Sequence, residues 1–173
     1  MALIRHTGFT LIELIATISV AAIFIVAAVP SYYALIQNNK VVSVANRLSA
    51  GFNFARIEAV KRGVRVSVCP AANSAFTACG TSAQWPQGWI IFVDRDNNNA
   101  IETSNDLVKI AEALPSGTQI TANTNIVSYD SAGFITSSPL SMSLRAAGCT
   151  ANNARTINIS TSGRLSVAVT SCN

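Results

Sequence analysis

The length, composition and charge of the chain exclude several classes of protein. With 173 residues, 50% of them hydrophobic and only 12% charged, the chain is too apolar to be disordered, and about one folded domain is expected beside any hydrophobic segment. The formal net charge is +4, and Arg145, Arg155 and Arg164 follow the last acidic residue, Asp130. Such a region would attract anions, although scattered solvated cations are the simpler interpretation.

A short basic leader and a long apolar run form the N-terminus. The leader ends in Gly8, and an apolar segment of about 28 residues follows, broken by a single charge at Glu13. A secretory signal peptide would have a shorter apolar core. A transmembrane anchor fits the length, since roughly 20 apolar residues span a bilayer. It does not explain Glu13, because an unpaired carboxylate in a membrane helix costs about 3 kcal/mol. We therefore expect a helix stored in the membrane that later packs against copies of itself and pairs Glu13 with a cation.

The junction between leader and apolar run resembles a known processing signal. The sequence Gly8-Phe9-Thr10-Leu11-Ile12-Glu13 is similar to the class III signal of type IV pilins and type II secretion pseudopilins. The resemblance implies that a prepilin peptidase cuts after Gly8 and N-methylates Phe9, and that Glu13 pairs with a neighbouring subunit's amino terminus. Pro30 falls where pilins carry a proline that kinks or melts the helix.

The helical pattern continues beyond the apolar run. Six apolar residues recur at three- and four-residue spacing and predict one buried helix face: Val41, Val44, Leu48, Phe52, Ala55 and Ala59. Gly63, preceded by Lys61 and Arg62, is the expected helix end.

After Gly63 the pattern becomes short and extended. Seven β-branched or aromatic runs between Gly, Pro, Asn and Ser clusters predict an antiparallel β head: 64–68, 89–93, 118–121, 126–129, 142–144, 156–160 and 165–169. Segment 107–114 fits either a strand or one short helix.

Three stretches of the head resemble the GspH/FimT/FimU branch of minor pilins and pseudopilins. They are residues 53–63, Val68-Cys69, and residues 85–94, which include Trp85 and Trp89. The resemblance implies an α+β, pilin-like fold, in which a long helix packs by its second half on a C-terminal β-sheet head. We divide the chain into a leader (1–8), a transmembrane or filament-core helix (9–37) and a periplasmic or extracellular head (38–173). Core packing is the expected role of both tryptophans.

The four cysteines indicate an oxidising compartment and allow three pairings. We favour the local pairs Cys69–Cys79 and Cys149–Cys172, because a hairpin turning at residues 161–163 would bring residues near 149 opposite residues near 172. A zinc site is the alternative, but the close Cys-x-x-Cys pairs of most structural sites are missing, and His6, the only histidine, belongs to the leader.

The residues predict no enzyme, no cofactor and no metal. Removal of His6 would leave no histidine as a general base, and neither a Gly-x-Ser-x-Gly elbow nor a Gly-rich phosphate loop occurs. Asp94-x-Asp96-x-Asn98 resembles the start of a calcium loop, but Asn99 and Asn105 replace the expected Gly and the closing Glu. A solvated turn is the better interpretation.

The family resemblance implies a minor pilin that helps to initiate or cap a type IV pilus, or a GspH-like pseudopilin of a type II secretion system. Its partners would be other pilins, the peptidase and, before export to the pilus, the inner membrane, with the head in the periplasm. Some FimT-like pilins bind double-stranded DNA through Gly-Arg-x-Arg; here Gly163-Arg164 matches, but Ser166 replaces the second arginine. Arg145 and Arg155 would compensate only if the fold gathers them beside Arg164.

Overall fold

The computed structural model describes residues 9–172, apart from the side chains of residues 27, 30 and 31. The chain divides into two compact units between Ile36 and Gln37. Within the described residues, helix α1 (Leu11–Arg62), eight β-strands and two short 3-10 helices (Ser82–Gln87 and Ser104–Asp106) form the regular structure. The predicted α+β, pilin-like architecture is confirmed.

The first unit consists of the N-terminal part of α1. Its large apolar side chains are exposed on all sides, from Leu11 at 75% to Ile36 at 43%. Position 30 lies inside the helix, but its side chain is outside the described residues, so the kink stays a prediction. Within residues 9–172, no helix combines the length and the apolar character that crossing a membrane requires.

The second unit begins with the remainder of α1, which packs on the head. All six residues of the predicted stripe are at most 2% exposed. The helix ends at Arg62, as expected, because Gly63 adopts a left-handed conformation (φ 66°) and donates its N–H to the carbonyl of Ala59 (3.0 Å). Arg62 donates to Glu58 in the last turn (2.6 Å) and, with Lys61, lowers the pKa of the Glu58 carboxyl.

Eight strands form two antiparallel four-stranded sheets. Sheet one has the order β3-β2-β1-β5: β1 (Val66–Pro70), β2 (Trp89–Val93), β3 (Leu107–Ala111) and β5 (Val127–Tyr129). Sheet two has the order β4-β6-β7-β8: β4 (Thr118–Ala122), β6 (Leu140–Ala146), β7 (Ala154–Ile159) and β8 (Leu165–Thr170). All seven predicted strands are present, and the ambiguous segment from Leu107 is strand β3.

One hydrophobic core joins α1 to both sheets. It includes Phe52 of the helix, Val68 and Ile91 of sheet one, and Leu144 and Ile157 of sheet two. A smaller core of Cys69, Ala71, Ile90 and Phe92 lies on the opposite face of sheet one. Every residue of both cores belongs to the unit that begins at Gln37, so this unit contains its own stabilising interior.

Candidate functional site

The start of α1 positions Glu13 through a local hydrogen-bond pattern. One Glu13 carboxylate oxygen accepts from the backbone N–H and from the hydroxyl of Thr10, each at 2.9 Å, and the Glu13 N–H donates to the Thr10 hydroxyl (3.3 Å). This is a capping box, in which Thr10 and the glutamate three residues later satisfy free amides at the helix start. In a single chain, Glu13 therefore has a local partner that the sequence analysis did not anticipate.

The residues around Glu13 are open to a partner. Phe9 is 84% exposed, and Glu13 itself is exposed. Gly8 lies outside the described residues, so cleavage after Gly8 and methylation of Phe9 stay predictions. A helix that is apolar on all sides requires burial in lipid or among other helices. The exposed segment from Phe9 onward therefore calls for an apolar environment that a single chain does not provide.

Both disulfide bonds lie in the head. Cys69 bonds to Cys79 with the Cα atoms 5.5 Å apart, and Cys149 bonds to Cys172 at 5.6 Å. These are the pairs favoured from the sequence. The first links β1 to the segment that covers the small core of sheet one, and the second holds the chain beyond β8 to the chain beyond β6.

The fold does not gather the three C-terminal arginines. Arg164 is exposed in the turn between β7 and β8, whereas Arg155 lies near the other end of β7, opposite Val169, roughly 15 Å away along the strand. Arg155 donates to Asn38 of α1 (2.9 Å) on the core-facing side, and Arg145 donates to Gln119 (2.9 Å) on the opposite face of sheet two. Arg145 follows Leu144, the strand partner of Arg155, so both cations lie at the end of sheet two away from Arg164, with their side chains on opposite faces. The compensation considered for Ser166 therefore does not occur.

Asp94, the first residue of the acidic turn after β2, belongs to a buried polar network. Asp94 is 1% exposed, accepts a hydrogen bond from Ser67 (3.1 Å) and lies 3.4 Å from the Arg65 guanidinium. Arg65 also donates to Ser128 (2.9 Å). The Asp94 carboxylate is thus turned into the protein, away from the Asp96 side chain, which accepts from Asn98 instead (2.7 Å).

This network was not foreseen from the sequence. Its members come from the start of β1, the end of β2 and β5, so only the pairing of these strands brings them together. Within residues 9–172, no three His, Cys, Asp or Glu side chains are grouped as a metal site would require. The network links β1 and β5 to the end of β2 in sheet one.

Two models of known protein families match the chain. A family model described as type II transport protein GspH matches residues 44–163. The chain belongs to the GspH family. A second model, the prokaryotic N-terminal methylation motif, matches residues 4–29, which include Gly8, Phe9 and Glu13. No curated protein matches the sequence.

Solved structures share the fold of this GspH-family chain. The type IV minor pilin FimU of Pseudomonas aeruginosa strain PAO1 is 17% identical, with a TM-score of 0.59 over 75% of this chain and 89% of that chain. The minor pseudopilin EpsH of the Vibrio cholerae type 2 secretion system is 13% identical, with a TM-score of 0.54 over 75% of this chain and 97% of that chain. The two family models and the shared fold place the chain among minor pilins and pseudopilins.

Proposed function

We propose that the chain is a minor pilin that enters a type IV pilus and helps to initiate or cap its assembly. In this proposal a prepilin peptidase removes residues 1–8 and methylates Phe9, and the chain waits in the inner membrane, with its head in the periplasm, before joining the pilus. The observation that carries the proposal is the exposed apolar helix with a single carboxylate, Glu13, one turn from its start.

The Glu13 carboxylate can act as a helix cap or as an ion-pair partner in the filament, and the two roles require different properties of the side chain. As part of the capping box, Glu13 needs only an acceptor oxygen, which a glutamine also provides. As the partner of a neighbour's positively charged amino terminus, it needs its negative charge, because in an apolar environment the ion pair offsets the cost of the buried charges. Replacing the charge while keeping the acceptor therefore tests the assembly role alone.

The test compares Glu13→Gln with Glu13→Ala in cells that express the full chain. We expect both variants to enter the membrane and both to be lost from sheared filaments, because neither carries the charge. Quantitative immunoblots of membrane and filament fractions provide the measurement. If Glu13→Gln enters filaments at the wild-type level while Glu13→Ala does not, the carboxylate acts only as a helix cap and its role in assembly is refuted.

The likeness to EpsH and the match to the GspH family favour a second candidate, a minor pseudopilin of a type II secretion system. Both candidates use the same helix and the same Glu13. They differ in what is lost with the chain: a pilin deletion reduces surface pili, whereas a pseudopilin deletion leaves pili intact and retains secreted proteins in the periplasm. Measuring both phenotypes in one deletion strain distinguishes the two.

DNA binding is the most specific function predicted from the sequence, and Arg164 alone supports it. Affinity for DNA increases with the number of phosphates that cations neutralise, and Arg145 and Arg155 point elsewhere. A single exposed arginine supplies one such contact. DNA uptake therefore stays a prediction outside the proposed function, to be tested by a gel shift of Arg164→Gln against the wild type.

A further inference from the structure

A groove opens between α1 and the edge strand β3 of sheet one. Its volume is about 460 Å³. Arg47 and Gly51 of α1 form one side, Lys109 of β3 and the following Glu112 form the other, and Trp89 of β2 lies at the base. All of these residues belong to the unit that begins at Gln37.

The indole N–H of Trp89 has no acceptor within residues 9–172. Trp89 is only 3% exposed as a residue, but its indole nitrogen is not among the buried side-chain atoms that lack a hydrogen-bond partner, so this donor is in reach of solvent. Trp85, the other indole of the head, does have an acceptor, since its N–H donates to the carbonyl of Thr124 (3.2 Å). A Cβ on Gly51 would lie 2.8 Å from the Trp89 indole nitrogen. The glycine therefore leaves this donor open to the groove.

Two cations line the same groove, Arg47 from α1 and Lys109 from β3. The Arg47 guanidinium lies 5.5 Å from the centre of the Trp89 ring and donates to the carbonyl of Glu112 (3.1 Å), which uses one of its five N–H groups. The Lys109 ammonium lies 4.9 Å from the centre of the Phe54 ring. Within residues 9–172, neither cation has a carboxylate within 4.0 Å. The groove thus presents donors and positive charge without an acceptor of its own at the indole.

We propose that this groove binds a single carboxylate side chain of a partner protein. An ionised carboxylate can accept hydrogen bonds from both cations and from the indole N–H. Hydrogen bonds between charged donors and a carboxylate are also stronger than those between neutral groups. A nucleic acid is disfavoured, because the groove has few donors for a continuous row of phosphates and Glu112 at its edge repels a dense polyanion. The occupant is therefore a single Asp or Glu in an otherwise neutral stretch.

The two tryptophans provide the test. The full chain, labelled with ¹⁵N at the indole nitrogens and held in dodecyl maltoside micelles, is titrated with the peptide acetyl-Gly-Ser-Glu-Ser-Gly-amide while its two indole N–H resonances are followed by NMR. We expect the Trp89 resonance to shift and saturate, and the Trp85 resonance to stay, because its N–H is already bonded. Arg47→Gln and Lys109→Gln should each weaken binding about tenfold, the loss of one charge-assisted contact.

Three comparisons decide the outcome. Arg164→Gln removes a cation outside the groove and should leave the titration unchanged. The same peptide with Gln in place of Glu should leave both resonances unmoved at matched ionic strength. The proposal is overturned if the Trp89 resonance does not move at about 10 mM peptide, a concentration at which a site with a Kd of about 1 mM would be roughly nine-tenths occupied. It is also overturned if the Gln peptide acts equally, or if a short DNA duplex shifts Trp89 at a lower concentration than the peptide.

Discussion

The two sheets of the head are built on different principles. In sheet one, β1 and β2 are buried at all five positions each, so both faces of these strands are covered. In sheet two, β6 alternates buried and more exposed residues along its seven positions. The central strands β1 and β2 of sheet one form an interior layer, whereas the outer face of β6 in sheet two is open to solvent.

The covering of sheet one comes from loops rather than from a second helix. The segment after β1, closed by the Cys69–Cys79 bond, contributes Phe76 and Cys79 to the small core, and the turn after β2 contributes Ile101. In the part of the chain that the structure describes, sheet two has no such layer, since Ser141, Ser143, Asn158 and Ser166 lie exposed on its outer face. The apolar core therefore forms on both sides of sheet one and on only one side of sheet two.

This difference explains why the two sheets have different sequences. A strand that is covered on both faces reads as a continuous apolar run, as in residues 89–93, whereas a strand with one wet face alternates, as in residues 140–146. It also explains the network around Asp94. A polar residue on the outer face of β1 or β5 is buried and needs a protein partner, whereas on the outer face of sheet two the exposed polar residues can be hydrated.

The largest loss of stability is expected from truncating a large side chain on the outer face of sheet one. Phe92→Ala should lower the free energy of unfolding by about 3–5 kcal/mol, because Phe92 is fully buried in the small core and its loss leaves a cavity. Urea unfolding of the unit that begins at Gln37 measures the change. Ser143→Ala, outward on sheet two, is the matched control and should stay within about 0.5 kcal/mol. Equal losses in the two variants would mean that both outer faces are covered.

A smaller effect is expected from removing the Cys69–Cys79 bond, which closes the segment after β1 that covers the small core. The double variant Cys69→Ala, Cys79→Ala should lose about 3 kcal/mol, since the bond restricts the unfolded chain. The matched control is Cys149→Ala, Cys172→Ala, whose longer ring would cost slightly more by chain entropy alone. Because Cys69 is fully buried in the small core, we expect the first variant to be at least as destabilised. A clearly larger loss in the control would mean that ring size, and not the burial of Cys69 in the small core, determines the loss of stability.

Local patterns predicted the elements well. The helix end at Gly63, the stripe from Val41 to Ala59, and strand β2 all follow from the identities of neighbouring residues, which determine propensity, capping and periodicity. The cysteine pairs also follow a local rule, since each links the chain across a short loop or hairpin.

What the sequence could not show depends on contacts between distant residues. The order of sheet one places β5 beside β1, and this pairing alone brings Ser128 to Ser67 (2.8 Å). In the same way, the positions of Arg155 and Arg164 follow from the register of β7 and β8, and the groove at Trp89 follows from where β3 meets α1. No short pattern in the chain encodes these approaches, which are set by the packing of whole elements.

The smallest effect compares one substitution, serine to alanine, on the two sheets. Ser67 lies on the outer face of sheet one, fully buried, and donates to Asp94 (3.1 Å). Ser67→Ala should cost about 1–3 kcal/mol, because the buried Asp94 carboxylate loses a donor that water cannot replace. Ser141→Ala, exposed on sheet two, should change stability by less than about 0.5 kcal/mol, since water replaces the hydroxyl. Urea unfolding at neutral pH measures both. If Ser67→Ala were neutral, water would reach Asp94, and the outer face of sheet one would be wetter than its side-chain burial indicates.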